Sequence, residues 1–161
     1  MNLMITDSPY SDAKAVLVTF SAVTAHRADS EDAGWATLPF AAGATTRTCD
    51  LKKLVDAQDI LGVGPIPAGL YTQLRLAVSG AALYFDNASS GSACAPSIAP
   101  PAGATAPMEV PSDKIKLNRN FEVAEGGATT ILIDFDGDRS IHETGNGRFK
   151  MTPVIGVVSV Q

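Results

Sequence analysis

Hydrophobic and polar residues alternate along two long stretches of the chain, a pattern typical of strands that bury one face. Residues 15–26 alternate over a length that is long for one strand, so we expect a β-bulge near Ser21. Residues 70–78 alternate just as clearly. Residues 81–85 resume the pattern after the Ser-Gly pair at 79–80, which predicts a hairpin between these two segments.

Shorter apolar runs between turn residues predict the remaining elements. The further predicted strands lie at residues 3–6, 34–38, 115–117, 121–123, 129–135 and 148–160, the last interrupted by Pro153. The one helical pattern lies at residues 50–57, where Asp50 occupies the N-cap position. About eight short strands and one short helix predict an all-β fold, an antiparallel β-sandwich of immunoglobulin-like or prealbumin-like type with Greek-key connections.

The whole chain, residues 1–161, is expected to form a single domain, because this length suffices for one hydrophobic core. Residues 86–107 stand out by their richness in Ser, Ala, Gly and Pro. We predict a long loop within the domain here, since neither flanking part looks complete by itself. Loops of this length are usually functional or poorly ordered.

Composition and charge exclude several classes of protein. Hydrophobic residues make up 45% of the chain and charged residues 18%, which excludes wholesale disorder. The net charge of −5 has the wrong sign for a domain that binds the phosphates of nucleic acid, so no nucleic-acid partner is expected. No apolar run reaches the ~20 residues of a bilayer-spanning helix, so no membrane span is expected.

The chain contains two cysteines, Cys49 and Cys94, both in loop-like sequence rich in small and polar residues. A disulfide between them would close a loop of 45 residues and stabilise the fold by roughly 4 kcal/mol. The alternative is a pair of free thiols, but free cysteines tend to be buried in apolar segments. A disulfide would indicate an oxidising compartment, which means the periplasm or the cell exterior.

Three carboxylates alternate at Asp134, Asp136 and Asp138, and Asp7 at another predicted strand end is a candidate to join them. Calcium binds hard oxygen ligands of this kind, so the three are candidate ligands of a Ca²⁺ site. The spacing does not match an EF-hand, because Gly137 takes the fourth position. The alternative is a strand that runs into a solvated turn. No other cofactor and no catalytic residue is predicted, since two carboxylates on one strand face do not flank a substrate as glycosidase pairs do.

A second candidate site lies on the strand predicted at residues 70–78. Three of its side chains are expected to project from one face: Tyr71, Gln73 and Arg75. With Trp35 or Tyr84 they could form a shallow surface for a sugar, which would stack on the aromatic ring and hydrogen-bond to the polar side chains. The alternative is that Arg75 pairs with Asp134 or Asp136 across the sheet.

The chain resembles a bacterial family catalogued as domain of unknown function 4382, found in exported and often lipid-anchored proteins. The most specific segment is residues 67–76, Pro-Ala-Gly-Leu-Tyr-Thr-Gln-Leu-Arg-Leu. Other matching positions occur in the expected order along nearly the whole chain: Thr6-Asp7-Ser8-Pro9, Val18-Thr19-Phe20, Val23, Trp35, Asp50-Leu51, Leu54, Pro111-Ser112, Lys116-Leu117, Asp134-Phe135-Asp136, Ser140 and Pro153-Val154-Ile155. Ser8 replaces the usual alanine of the family. The resemblance implies export and a β fold, and it implies no activity.

These observations together favour a non-catalytic, extracytoplasmic cell-surface domain used for binding or structural attachment. Its expected location is the periplasm, an outer-membrane lipoprotein or the cell surface, and its candidate partners are a cell-surface polysaccharide or a protein. One alternative is a calcium-binding surface domain that uses the Asp134 cluster. Another is a hydrolase of envelope polymers, although no Gly-x-Ser-x-Gly or His-Glu-x-x-His motif occurs in the chain.

Overall fold

The computed structural model describes residues 1–8, 12–29, 34–55, 57–111 and 114–161. Within these residues the chain forms thirteen strands. In chain order they are β1 (Asn2–Ser8), β2 (Ala15–Arg27), β3 (Trp35–Thr37), β4 (Arg47–Asp50), β5 (Asp59–Val63), β6 (Gly69–Tyr84), β7 (Cys94–Ala95), β8 (Thr105–Glu109), β9 (Lys114–Val123), β10 (Thr130–Asp136), β11 (Ile141–Gly145), β12 (Arg148–Met151) and β13 (Ile155–Val160). A four-residue helix α1 (Gly137–Ser140) and two 3₁₀ turns (Ala41–Gly43 and Leu51–Leu54) complete the described elements.

The strands form two sheets, which confirms the predicted all-β, sandwich-like fold. The smaller sheet has the order β13-β10-β1-β5, and the larger has the order β11-β12-β8-β6-β2-β4-β7, with β3 paired to β2 and β9 to β6. Not every pairing is antiparallel, because β1 pairs with β10 and β8 with β12 in parallel. No helix in the described ranges is long and apolar enough to cross a bilayer.

One hydrophobic core lies against both sheets. The smaller sheet contributes Leu3 and Ile5 from β1, with Ile131, Ile133 and Phe135 from β10, all 0% exposed. The larger sheet contributes apolar side chains from β2 and β6: Val16, Val18, Phe20, Val23, Leu74, Leu76 and Leu83. Within each part of β2 and β6 between the register shifts, the buried residues recur with a period of two, and this alternation predicted the strands from the sequence.

The predicted hairpin at residues 70–85 is wrong, because β6 runs without a turn from Gly69 to Tyr84. Its neighbour throughout is β2, and the two pair antiparallel along almost their full lengths. The predicted turn at Ser79-Gly80 is instead a point where the register shifts, with Gly80 opposite Thr19 and Val78 opposite Phe20. A tight hairpin would need a positive φ here, and Gly80 is not one of the described residues with positive φ. The bulge expected near Ser21 is confirmed by a second register shift.

The helix predicted at residues 50–57 is also wrong in type and length. Among the described residues of this range, the helical structure is the 3₁₀ turn Leu51–Leu54, with Leu51 and Leu54 buried in the core. Asp50 does cap this turn, since its carboxylate accepts a hydrogen bond from the Lys52 N–H at 3.1 Å. The strands on either side, β4 and β5, were not predicted.

The loop predicted at residues 86–107 contains β7 and the start of β8. The predicted disulfide is present, and Cys49 on β4 lies directly opposite Cys94 on β7 with a Cα–Cα distance of 4.1 Å. Both cysteines are buried and lie in short strands rather than in loops. The bond therefore fixes the middle of this segment to the larger sheet.

Asp50 is the buried polar residue that links this segment to the rest of the fold. It is 0% exposed, and its carboxylate accepts hydrogen bonds from the Val16 N–H at 3.1 Å and from the Ser89 hydroxyl at 2.5 Å, besides the Lys52 N–H. We expect Asp50→Ala to lower the unfolding free energy by about 3 kcal/mol, because three donors lose their acceptor. Ser89→Ala removes one donor and is expected to cost about 1 kcal/mol.

Urea unfolding of the two variants checks this order of effects. Asp86→Ala serves as the matched control, since Asp86 is exposed and its hydrogen bond to a described residue, accepted from the Ala104 N–H, lies within its own segment. An Asp50→Ala variant as stable as the Ser89→Ala variant would contradict the assignment of Asp50 as the anchor.

Candidate functional site

Four neighbouring strands, β3, β2, β6 and β9, place a row of aromatic and polar side chains on the outer face of the larger sheet. In strand order the row consists of Trp35, His26, Gln73 and Asn118. These residues lie opposite one another in register. An adjacent position carries Arg75 on β6, opposite Lys116 on β9. We call the surface formed by these six residues the Trp35 face.

The alternation of side chains along each strand explains why these residues point outwards. Their chain neighbours Ala25, Leu74 and Leu117 are buried on the inner side of the sheet. Core packing therefore does not determine which side chains occupy the outer row. Trp35, His26 and Gln73 are half-buried and Asn118 is exposed, so the row is partly accessible and is a candidate binding surface.

Contacts among these side chains hold them in place. The Arg75 Cζ atom lies 4.0 Å from the centroid of the Trp35 ring, within the range of a cation–π interaction. The His26 ring packs against Trp35 at a centroid distance of 4.7 Å, with the two ring planes inclined by 55°. Gln73 accepts a hydrogen bond from Arg75 Nε at 2.8 Å and donates one to Asn118 Oδ1 at 2.6 Å. These contacts fix the positions of the side chains on the Trp35 face.

Two shallow clefts adjoin Trp35 and Arg75. One has a volume of about 240 Å³ and the other about 380 Å³. The residues that line the first are Ala22, Thr24, Trp35, Arg75, Ala77 and Lys114. Those that line the second are His26, Trp35, Thr72, Gln73, Arg75 and Asn118. Trp35 and Arg75 line both clefts, the second cleft adds the amides of Gln73 and Asn118, and the described lining of neither cleft contains a carboxylate.

Another groove, of about 410 Å³, lies between the Pro-rich residues 96–100 and the strands β2, β4 and β6. Its described lining consists of small apolar and hydroxyl-bearing residues such as Thr19, Thr48 and Ile98, without a charged side chain. It offers less to orient a polar ligand than the Trp35 face does.

The prediction that Tyr71 shares a face with Gln73 and Arg75 is wrong. Tyr71 is 0% exposed, its ring stacks on Phe121 at a centroid distance of 5.2 Å, and its hydroxyl donates to the Pro67 carbonyl at 2.6 Å. The register of β6 shifts at Thr72 against both of its neighbours. This bulge turns Tyr71 to the core, while Gln73 and Arg75 stay on the outer face.

The alternative pairing of Arg75 with an acidic residue of β10 is also absent. Arg75 belongs to the larger sheet and β10 to the smaller one. Among the residues that the structure describes, the ion pairs are Arg27–Asp29 and Arg47–Asp59. The partner of Arg75 is instead the Trp35 ring.

The three carboxylates predicted as calcium ligands lie where β10 ends and α1 begins. Asp136 caps the short helix by accepting a hydrogen bond from the Arg139 N–H at 3.0 Å, and Asp138 is exposed in the first turn. Across the described residues, no group of three or more His, Cys, Asp or Glu side chains is placed to hold a metal ion. Calcium binding by Asp134, Asp136 and Asp138 stays a prediction, which thermal unfolding in excess calcium and then in EDTA checks.

Asp7 does lie beside this acidic strand end, because β1 and β10 pair in parallel with Asp7 opposite Phe135. Asp7 is 6% exposed and continues the buried face of Leu3 and Ile5. Its Oδ1 accepts a hydrogen bond from the Gly137 N–H at 2.9 Å. Its Oδ2 is buried without a hydrogen-bond partner among the described residues.

This environment raises the pKa of Asp7 from 3.8 to about 8. Burial is the largest cause, and the negative charges of Asp134 and Asp136 act in the same direction. The hydrogen bond from Gly137 and the positive charge of Lys52 oppose the shift. Asp7 is therefore mainly protonated in the folded protein at pH 7.

A family model matches nearly the whole chain. Residues 1–153 match the model of the family described as Domain of unknown function (DUF4382). No curated protein and no solved structure matches the chain. The matched residues include every strand of the Trp35 face and the acidic end of β10.

Proposed function

We propose that this chain, which belongs to the DUF4382 family, is a non-catalytic domain that binds carbohydrate outside the cytoplasm. The binding site is the Trp35 face. Within this site Trp35 supplies an apolar ring surface, and the amides of Gln73 and Asn118 supply hydrogen-bonding groups beside it.

The observation that carries this proposal is the row Trp35–His26–Gln73–Asn118 across four strands, with Arg75 held against the Trp35 ring. Sugars combine apolar C–H faces with hydroxyl groups at the ring edge. A tryptophan ring flanked by amide donors and acceptors matches both parts of a sugar. The shallow, open shape of the two clefts suits an extended polymer better than a small enclosed ligand.

The extracytoplasmic location is supported by the Cys49–Cys94 disulfide. Such bonds persist in oxidising compartments and are rare in reducing ones. A polysaccharide of the cell surface is the carbohydrate to which a domain in that location would have access.

Native electrophoresis through gels that contain a dissolved polysaccharide tests the proposal. A gel series with neutral and acidic polymers is expected to include at least one that retards the wild-type protein. Trp35→Ala is expected to weaken that retardation about tenfold or more in apparent affinity, because a central tryptophan dominates contacts of this kind. The bound polymer is expected to show no new reducing ends after incubation with the protein.

Val158→Ala is the matched control, since Val158 is an apolar residue 58% exposed on β13, in the other sheet. It should be retarded like the wild type, and thermal unfolding should show that both variants are folded. Equal retardation of Trp35→Ala and wild type would place the binding site elsewhere. Retardation by no polymer in the series would refute carbohydrate binding.

A further inference from the structure

Arg75 is held so that part of its guanidinium is available to a ligand. The Trp35 ring lies under it, and its Nε–H donates to Gln73. Its two terminal nitrogens have no carboxylate within ion-pairing distance in the described part of the chain. A guanidinium fixed by stacking presents a planar pair of N–H donors, which matches the two oxygens of a carboxylate.

A second cation stands directly beside Arg75. Lys116 is exposed and lies opposite Arg75 in the register of β6 and β9. Two like charges directly opposite each other on one sheet face destabilise the sheet. Among the described residues that line the two clefts, none carries a negative charge that would compensate Arg75 and Lys116. The chain as a whole is nevertheless acidic, with a net charge of −5. A bound anion would remove this repulsion.

The same surface also carries the features that suit a sugar ring, Trp35 and the amides of Gln73 and Asn118. We infer that the carbohydrate bound by the Trp35 face is acidic, and that its sugar units carry a ring carboxylate, as uronic acids do. Arg75 binds this carboxylate through two parallel hydrogen bonds, and Lys116 adds electrostatic attraction. This inference rests on the proposed function and narrows it to one chemical class of polysaccharide.

A polyphosphate ligand such as nucleic acid fits these observations less well. Its binding requires a broad positive field, whereas this face has few cations on an acidic protein. The planar Arg75 fork and the neighbouring ring surface favour a carboxylate attached to a sugar.

Isothermal titration of the full chain with polygalacturonate, and with the same polymer after methyl esterification, tests the inference. The ester keeps the sugar backbone and removes the charge. We expect the acidic polymer to bind at least about tenfold more tightly, since a bidentate charge-assisted pair is lost on esterification. Arg75→Ala should abolish this preference, and Arg75→Lys should restore only part of it because lysine lacks the planar fork.

Lys116→Ala is expected to weaken binding less than Arg75→Ala and to reduce its dependence on salt. Arg148→Ala is the charge-matched control, because Arg148 is exposed on β12, which takes no part in the Trp35 face. It should bind like the wild type. Thermal unfolding of each variant confirms that it is folded.

Two further polymers separate this inference from simpler explanations. Polyglutamate carries carboxylates without sugar, and dextran sulfate carries sugar with a different anion. Binding of either as tight as that of polygalacturonate would overturn the inference in favour of unspecific attraction between charges. Equal binding of the acidic and esterified polymers, lost in Trp35→Ala, would overturn the acidic specificity and leave the proposed function standing. Binding of no polysaccharide would refute both.

Discussion

A variant in which Cys49 and Cys94 are both replaced by alanine is expected to lose about 4 kcal/mol of unfolding free energy. The bond joins positions 45 residues apart, and loop-closure entropy for a loop of this length gives that magnitude. In a domain of 161 residues, a loss of this size lowers Tm by roughly 10 °C.

The structure explains why the remaining contacts replace the bond only in part. The strand that contains Cys94 is two residues long and pairs with β4 over those two residues alone. Besides the disulfide, Asp59 accepts a hydrogen bond from the Cys94 N–H at 2.9 Å, and Ser89 donates to Asp50. These hydrogen bonds hold the segment in the folded state, but they do not restrict the unfolded chain as a covalent bond does.

Urea unfolding of the wild type, with and without reductant, measures the contribution of the bond. The reduced wild type is expected to unfold at the same urea concentration as the double alanine variant, apart from the small packing loss at the two buried sites. The double variant itself should not respond to reductant. If the oxidised wild type were no more stable than the double variant, the expected stabilisation by the disulfide would be contradicted.

Local sequence patterns predicted those features of the fold that are set within a single strand or turn. The alternation in β2 and β6, and the apolar run that became β10, identified strands whose inner residues form the core. The Asp50 cap could be predicted too, because capping depends on residues two or three positions apart. The disulfide was predicted from the number and setting of the cysteines, although both lie in strands.

Features that depend on which strands are neighbours could not be predicted in this way. The parallel pairing of β1 with β10 joins residues about 130 positions apart, and nothing local to Asp7 indicates it. The hairpin was predicted wrongly for a similar reason. A Ser-Gly pair is compatible both with a tight turn and with a register shift inside a continuous strand. Only the long partner strand β2 decides between the two.

In the candidate site, too, the features set by one strand's own pattern were predicted, and those set by the pairing of strands were not. Gln73 and Arg75 were predicted from the alternation of their own strand, and Trp35 was named as an aromatic partner. Tyr71 was placed on the wrong face because a single-residue bulge at Thr72 reverses the direction of the side chains beyond it. Asn118 and Lys116 were missed, since each is an ordinary polar residue until the register of β9 places it beside β6.

The stability of the wild-type protein is expected to fall as the pH rises from about 4 to 8, through the titration of Asp7. The folded protein keeps the proton on Asp7 up to the raised pKa of about 8, whereas the unfolded chain releases it near 3.8. Between these values the folded state binds more protons, so rising pH favours unfolding. The contribution of this one group is about 1 kcal/mol per pH unit within the window.

Asp7→Asn is expected to remove this contribution and to leave the fold intact. The amide oxygen of asparagine still accepts the hydrogen bond from the Gly137 N–H, and the amide nitrogen replaces the protonated oxygen without a charge. The variant should therefore be more stable than the wild type at pH 8, by a margin that shrinks towards pH 4. The neighbouring charges of Asp134, Asp136 and Lys52 are unchanged by the substitution, so the difference between the two proteins isolates Asp7.

Urea unfolding of both proteins at pH 5, 6, 7 and 8 measures this margin. Asp138→Asn is the control, because Asp138 lies in the same acidic segment but is exposed, and its margin over the wild type should stay small at every pH. A margin for Asp7→Asn that did not change with pH would show that Asp7 is already ionised in the folded state. In that case a positive charge beside the buried Oδ2 would have to stabilise the carboxylate, and a cation bound at the acidic end of β10 would be a candidate for that charge.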